Sequence, residues 1–478
     1  MSKESESPEN TEGDSLFRHY SQSNLFNQIL KATKNHYGKN KFENSLSLIQ
    51  FVIAKIDLEI EKLINEIIHH PDFMQLESGW RGIWSLVSNL ESDTNIKIKL
   101  LPASWEELSQ DFAKCTEFDQ SSLFQKIYSD EFGSPGGEPY GLLLADYEIG
   151  SLNQSKLNTQ LRCLEQFAMV AGASFCPTVF SVNASLFGLE SFELVGVGKN
   201  STRLNNFNNT TWNRIRTHPD SRFIGFLGSK VLYRTPYQTS HKWNSNLVFI
   251  EKFGLNGEGF PFGSPVYPFG ILAIKEFLDT GWFSGLRGSR ENLNELGLIS
   301  SVPFEKSGVD SSSFSIIPPI DYLITPQSED LLDQNGIMIF VYSGTAQHLV
   351  LHNCVSVHQP ELFENKLANE NSSISSLFNY ILCASRFAHF IKVIGRDKLG
   401  SFKTPEDCET YLTNWLQSYT DSGRANSRNK PLKSANVQIF DDPSKPGFFK
   451  SVIRLEPHLQ VENVSATIKF VTNITSEK

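Results

Sequence analysis

Residues 142–182 read LLLADYEIGSLNQSKLNTQLRCLEQFAMVAGASFCPTVFSV. The apolar run at 142–147 is typical of a buried strand. Residues 153–172 are predicted to form a helix, and residues 177–182 predict a second strand. The order strand, helix, strand is the repeating unit of an α/β core. The sequence therefore predicts an α/β fold with mixed α+β character.

Upstream of this core the sequence predicts a polar tail and a long helix. Residues 1–42 are predicted to be a flexible N-terminal tail, because its polar, acidic beginning cannot bury enough apolar surface to fold alone. Residues 43–72 predict a long amphipathic helix, which Pro71 ends. Its apolar positions recur at steps of three and four residues, at Leu46, Ile49, Ile53, Ile56, Ile60, Leu63 and Ile67. This stripe requires a partner, which is either the protein's own core or another chain.

Residues 73–370 are predicted to form a central α/β domain. A second helix over 72–89 carries most of its large apolar residues on one side, at Leu76, Trp80, Ile83, Trp84 and Val87. Residues 95–101 alternate between apolar residues and lysine, which predicts a half-buried strand. Further strands are predicted at 320–325 and 336–343.

The polar segment 359–371 predicts a domain boundary. The C-terminal domain, 371–478, is predicted to combine helices with strands. A helix is expected over 404–419, with a proline suited to its first turn. Alternating strands are expected at 435–440 and 448–455.

The tail ends in a short alternating strand. Its apolar residues are Val464, Ala466, Ile468 and Phe470. The backbone amides and carbonyls of such a strand need a sheet edge. That edge lies either in the same molecule, which the residues alone favour, or in a neighbour that accepts the strand by addition.

Charged residues follow helical spacing in the helix predicted from residue 373. Arg386 and Lys392 lie on one face with His389, and the pair Arg396 and Asp397 comes one turn later. One interpretation is that the guanidiniums bind carbonyls or carboxylates at a helix end. The other is that these residues form ion pairs with a neighbouring protomer.

Composition excludes several classes of protein. The chain has 478 residues, with 43 Lys and Arg against 53 Asp and Glu and a formal net charge of −10. That balance argues against a nucleic-acid partner, because phosphate binding needs a basic face. No signal peptide or transmembrane segment is predicted. The six cysteines include no C-x-x-C pair and are expected to be reduced thiols.

The chain lacks a recognisable catalytic or cofactor motif. The stretch Val195-Gly196-Val197-Gly198-Lys199 lacks the phosphate-loop pattern. His348, His352 and His358 have no metal-ligand spacing, and no nucleophile elbow is present. We therefore expect no enzyme activity, no cofactor and no metal.

A set of landmarks runs along the chain in a fixed order. They are LESGWRG (76–82), EFGSPGGEPYG (131–141), LYRTPY (232–237), GWFSGLRG (281–288), RFAHFIK (386–392), RDKLGS (396–401), PG (446–447) and PH (457–458). In order and spacing they resemble the large subunit of the contractile sheath of bacterial type VI secretion, the TssC (VipB/IglB) family. The resemblance runs from about residue 73 to the C-terminus.

The resemblance implies a mechanical role. The large subunit of this family pairs with a small sheath subunit of the TssB/VipA/IglA type, to which the helix at 43–72 would bind by its stripe. Heterodimers polymerise with further copies around an Hcp-like inner tube, locked by exchanged terminal strands, and contraction drives the tube and spike into a target cell. The 371–478 domain would lie nearest the tube. The sheath lies in the bacterial cytoplasm and reaches the cell envelope through a baseplate, without inserting in the membrane.

The chain departs from the commoner family pattern at two places. It has PFGSP at 261–265, where many members have Trp-Gly-Asn, and GSK at 228–230, where many have Pro-Arg. These changes place it nearer the divergent, Francisella-type members and weaken the expectation that a disassembly ATPase is a partner. Two alternatives are a sheath protein of another contractile injection machine, such as a phage tail, and a cytosolic α/β enzyme.

Overall fold

The computed structural model describes residues 31, 45–90, 95–134, 136–196, 204, 207, 209–237, 249–252, 259–283, 285–288, 297–300, 303, 305–307, 315–343, 348–397, 404–421, 430–441, 448–457 and 468–475. The chain divides into two compact units. Unit 1 comprises Met1–Met74 and Pro236–Gly259, and unit 2 comprises Gln75–Thr235 and Phe260–Lys478. Unit 2 holds residues of both predicted larger domains, and the predicted boundary between those domains stays a prediction.

Helices and strands are both well represented among the described residues. The helices of at least eight residues are α1 Ser45–Ile68, α2 Pro71–Ser88, α3 Trp105–Lys114, α4 Gln154–Ser174, α5 Thr210–Thr217, α6 Val266–Thr280, α7 Pro326–Gln334, α8 Lys366–Ser375, α9 Phe378–Asp397 and α10 Pro405–Gln417. Shorter helical turns are Phe118–Gln120, Ser122–Phe124, Gln125–Ser129, Asp130–Phe132, Ala184–Phe187, Phe192–Gly196 and Pro219–Phe223. The strands are β1 Leu143–Ile149, β2 Thr178–Val182, β3 Ile224–Leu227, β4 Val231–Leu232, β5 Phe262–Gly263, β6 Leu298–Ile299, β7 Glu305–Ser307, β8 Ser315–Ile317, β9 Ile337–Met338, β10 Phe340–Ser343, β11 His348–Leu351, β12 Leu432–Asp441, β13 Phe448–Pro457 and β14 Ile468–Thr475.

A parallel sheet of order β1-β2-β3-β9 lies at the centre of unit 2. Every residue of β2 and β3 is buried, as expected for parallel strands covered on both faces. Helix α4 makes the crossover from β1 to β2. Asn153 caps its start by accepting the amides of Ser155 and Lys156. The α/β core predicted from residues 142–182 is therefore confirmed.

The tail folds as helices followed by a sheet. Strands β12, β13 and β14 form an antiparallel sheet in that order. A core that includes Phe387, Leu412 and Ile453 joins this sheet to α9 and α10. The predicted combination of C-terminal helices and strands is thus confirmed.

Two local predictions are wrong. Residues 95–101 form no strand, because no described strand pairs with them. Residues 320–325 give only a single bridge, from Ile320 to Val231, because Thr325 already caps α7 by accepting the amide of Ser328. The polar helix α8 begins within the predicted boundary segment, and the boundary itself stays a prediction.

Candidate functional site

The apolar stripe of α1 is exposed. Four of its members have between 52 and 59% of their surface exposed: Ile53, Ile56, Leu63 and Ile67. Ile49 and Ile60 are half-buried, and the side chain of Leu46 lies outside the described residues. We call this set the α1 stripe. An exposed apolar surface of this length is typical of an interaction site.

The opposite face of α1 is held by a segment of unit 1. The side chain of Asn65 accepts the amide of Lys252 at 2.9 Å, and the Lys252 ammonium lies 2.8 Å from Glu61. One turn further on, His69 Nε2 lies 3.1 Å from Glu251 Oε1. Glu61, Asn65 and His69 are spaced four residues apart and lie on the face opposite the stripe. The chain therefore fixes α1 from one side and leaves the stripe outward.

Helix α2 carries a second exposed stripe. Its members are Leu76, Trp80, Trp84 and Val87, with 51 to 70% of their surface exposed. The buried face of α2 consists of Ser78, Gly82 and Leu86. A Cβ atom on Gly82 would lie 2.3 Å from the Tyr267 ring, so only glycine permits this close packing. The sequence places these aromatic residues on one side of α2 but does not reveal that this side is outward.

Two landmarks of the sequence meet in one charged network. Glu77 Oε1 accepts Arg81 Nε at 2.8 Å and Arg234 Nε at 2.7 Å, and Glu77 Oε2 accepts a second bond from Arg234 at 3.2 Å. Burial alone would raise the pKa of Glu77, but the bonds and charges of Arg234 and Arg81 outweigh it and lower the pKa. The local Glu77–Arg81 pair follows from the helical spacing, whereas the contact with Arg234 is not visible in the sequence.

We expect Glu77→Ala to destabilise unit 2 by about 3–5 kcal/mol, because it leaves the buried Arg234 without its carboxylate. The matched control is Arg81→Ala. Its side chain is 37% exposed, so its loss should change stability by about 1 kcal/mol or less. Melting temperatures of the two variants test this difference. Equal effects would show that Arg234 does not depend on Glu77.

The structure gives the predicted cationic residues partners within the chain. The Arg386 guanidinium lies 4.5 Å from the ring centre of Phe277, 5.0 Å from Phe390 and 5.5 Å from Trp282. Such cation–π contacts are strong when they are desolvated. Arg396 donates to Asp397 at 2.9 Å and to the Ser134 carbonyl at 3.0 Å. Binding of a carbonyl by a guanidinium is therefore confirmed for Arg396, and ion pairs between protomers stay a prediction.

Lys392 and His389 bind the carboxyl end of α4. The Lys392 ammonium lies 3.4 Å from the Ala173 carbonyl, and His389 Nε2 lies 3.0 Å from the Ser174 carbonyl. The rings of Tyr128, Phe132 and Phe175 surround the ammonium at 4.6 to 5.0 Å. Burial lowers the pKa of Lys392 to about 8, so the amine remains charged at neutral pH. Its charge stabilises the negative end of the helix. We call this contact the α4–α9 joint.

The joint makes stability depend on pH. Burial lowers the pKa of His389 to about 4, against about 6.5 for an unfolded histidine. Between those values the unfolded state binds the additional proton, so His389 reduces stability as the pH falls. Burial raises the pKa of Asp321 and of Asp333 to about 7, and these carboxyls act in the opposite direction.

We therefore expect the contribution of His389 to appear as a difference between variants. His389→Gln retains a donor for the Ser174 carbonyl but does not titrate. Relative to this variant, the wild-type chain should lose up to about 1.4 kcal/mol per pH unit between pH 6.5 and 4. Parallel curves of melting temperature against pH would contradict this. The exposed His70 lies outside the joint, and His70→Gln is the control for the loss of a histidine elsewhere in the chain.

The terminal strand pairs within the chain. In the antiparallel ladder of β13 with β14, Ile468 lies opposite Leu455 and Phe470 opposite Ile453. Val464 and Ala466 lie outside the described residues. The register thus shows an acceptor edge for the strand, and exchange of the strand between protomers stays a prediction.

Nothing in the described part of the chain resembles a catalytic centre. No three histidine, cysteine or acidic side chains converge on a metal position among those residues. His352 instead lies 2.8 Å from Glu329, and His358 lies 3.2 Å from the Ser221 hydroxyl. Of the helices described, none is both long and apolar enough to cross a membrane.

The chain is similar in sequence to known tail sheath proteins. Residues 50–358 match the family model VipB, described as "EvpB/VC_A0108, tail sheath N-terminal domain", and residues 367–474 match VipB_2, the "tail sheath gpW/gp25-like domain" of the same description. The type VI secretion system sheath protein TssC1 of Pseudomonas aeruginosa is 29% identical over 445 residues, which are 91% of this chain and 87% of that protein.

Two solved structures are similar to the chain in part. The sheath tail protein Lin1278 from Listeria innocua gives a TM-score of 0.33 at 10% identity, over 72% of this chain and 58% of that chain. A chain of the anti-feeding prophage baseplate gives a TM-score of 0.32 at 8% identity, over 81% of this chain and 80% of that chain.

Proposed function

Because the chain belongs to the VipB tail sheath family, we propose that it is the large subunit of a type VI secretion sheath, which pairs with a small sheath subunit and polymerises around an Hcp-like tube. The chain is a sheath protein of a contractile injection system and a homologue of TssC1. Members of this family are structural proteins, not enzymes. In the proposal, the sheath stands on a baseplate in the bacterial cytoplasm and contracts to propel the tube and spike into a target cell.

The exposed α1 stripe carries the proposal of a paired subunit. Helix α1 is 24 residues long, and its stripe members repeat every three or four residues. A partner helix that lay along the stripe would bury these side chains in the way that helices pack in a core. Among the described residues, the segment 249–252 already contacts the opposite face, and the stripe is the face that remains for a partner helix.

Contraction in this proposal needs no nucleotide. An extended lattice of packed subunits can hold free energy that is released when the subunits move to a second packing arrangement. The chain would then transmit the motion, and its important surfaces would be those that touch neighbouring subunits.

Co-expression with the small-subunit gene of the same gene cluster tests the proposal. We expect the two chains to purify together and to form hollow tubes by negative-stain electron microscopy. The large chain produced alone should aggregate, because the α1 stripe remains exposed. A monodisperse large chain that neither binds the small subunit nor forms tubes with it would contradict the proposal.

A further inference from the structure

Residues 96–101 have the sequence pattern of a strand but belong to no ladder of the described residues. The sequence Ile96-Lys97-Ile98-Lys99-Leu100-Leu101 has the alternation of a strand, yet these residues take no regular secondary structure. No backbone hydrogen bond joins them to any residue that the structure describes. Leu100 is 60% exposed and Leu101 is 51% exposed. Local pattern and fold therefore disagree here, and such disagreement is expected at functional sites.

Side chains hold this segment in place. The Lys97 ammonium lies 2.6 Å from both carboxylate oxygens of Glu138, and that of Lys99 lies 2.6 Å from Glu131. Ile96, on the other face, packs against the core of unit 2. The segment is thus fixed through both faces, while its amides and carbonyls have no backbone partner among the described residues. It has the features of a strand edge that is prepared for pairing.

The second chain in such a pairing is constrained by what surrounds the segment. Each described strand pairs with another strand of the chain, and none of the described strands pairs with this segment. Two copies that paired this segment with itself in antiparallel orientation would be related by a two-fold axis, which closes a dimer. A growing helical sheath requires contacts that do not close. Since Lys97 and Lys99 already have acidic partners, the incoming strand needs no acidic side chain and can be alternately apolar and polar.

We propose that residues 96–101 accept a β-strand of the small sheath subunit by strand addition, an inference that rests on the proposed heterodimer. Alternate residues of a strand direct their amides and carbonyls to opposite edges. One edge of this segment would therefore offer three residues to the incoming strand. Ile98 and Leu100 would be covered by the side chains of that strand.

Hydrogen–deuterium exchange of the purified heterodimer tests this directly. We expect the amides of one edge of 96–101 to exchange at least about 100-fold more slowly than their intrinsic rates. Buried β2 serves as the protected reference, and the amide of Leu362, whose residue is 87% exposed, serves as the unprotected one. Fast exchange at 96–101 in an intact heterodimer would overturn the inference and leave the proposed function standing. Protection that appears only after assembly into tubes would also overturn it, because the strand would then come from a neighbouring protomer.

A pair of proline variants identifies the edge. Ile98→Pro and Lys99→Pro remove amides that point to opposite edges. We expect one of them to weaken binding of the small subunit at least about 10-fold and the other to leave it close to wild type. Equal binding by both variants, whether retained or lost, would overturn strand addition along one edge. If wild-type subunits form no heterodimer at all, the proposed function fails together with this inference.

Discussion

The double variant Ile56→Asp, Leu63→Asp is expected to lose the small sheath subunit completely in co-purification. The two side chains are 53% and 59% exposed, and both lie in the α1 stripe. A partner helix would bury them, and each apolar side chain of this size contributes about 1.5–3 kcal/mol when fully buried. Aspartate removes that contribution and places a carboxylate in an apolar contact. Together the substitutions should weaken binding by roughly 100-fold or more.

The matched control for this double variant is Leu58→Asp. Leu58 lies on the same helix and is 44% exposed, but helical geometry places it on the face opposite Ile56 and Leu63. Its substitution should leave the yield of the complex unchanged. Circular dichroism of the full-length large chain of each variant checks that the core remains folded. Full recovery of the small subunit by the double variant would show that the stripe packs elsewhere.

Deletion of residues 464–478 is expected to leave the heterodimer intact and to abolish tube formation. The deletion removes β14, whose ladder with β13 extends from Ile468 opposite Leu455 to Thr475 opposite Phe448. If neighbours in the sheath exchange this strand, each contact loses a series of hydrogen bonds worth about 1 kcal/mol each. The loss recurs at every protomer of the tube. Electron microscopy of the purified heterodimer measures the effect.

Lys469→Ala is the control for the deletion. It keeps the backbone of β14 and therefore its ladder, so tubes of normal length are expected. Normal tubes from the truncated chain would show that the strand does not link protomers. Loss of the heterodimer itself would show instead that β14 supports the fold of a single chain.

The parallel core could be predicted because its signals are local. Residues 142–182 hold two apolar runs and a long helix, and each element agrees with its own neighbours in sequence. Residues 95–101 gave an equally clear strand pattern but form no strand in the chain. Alternation describes which side chains share a face, and it does not show whether a second strand lies alongside. Because residues 95–101 have a strand pattern but no paired strand among the described residues, we infer that they bind another chain.

The sites formed by distant residues could not be predicted in the same way. Helical spacing shows that Arg386 and Lys392 share a face of α9, but the rings that surround them come from remote parts of the chain. For α2, periodicity separates two faces without showing which is outward. Ser78, Gly82 and Leu86 form its buried face, where Gly82 allows the Tyr267 ring to approach.

The α4–α9 joint has a mechanical consequence. Trp282 stacks on Phe387 at 4.5 Å, and Lys392 and His389 bind the last carbonyls of α4, so that α9 cannot turn or slide without breaking several contacts at once. A force applied to the β12–β13–β14 sheet is therefore transmitted through α9 to the parallel sheet with little deformation of the chain. In the proposed sheath, this part of the chain would move as a rigid body during contraction. Rotation would then be confined to the interfaces between subunits, where the proposed contacts of the terminal strand and of the α1 stripe lie.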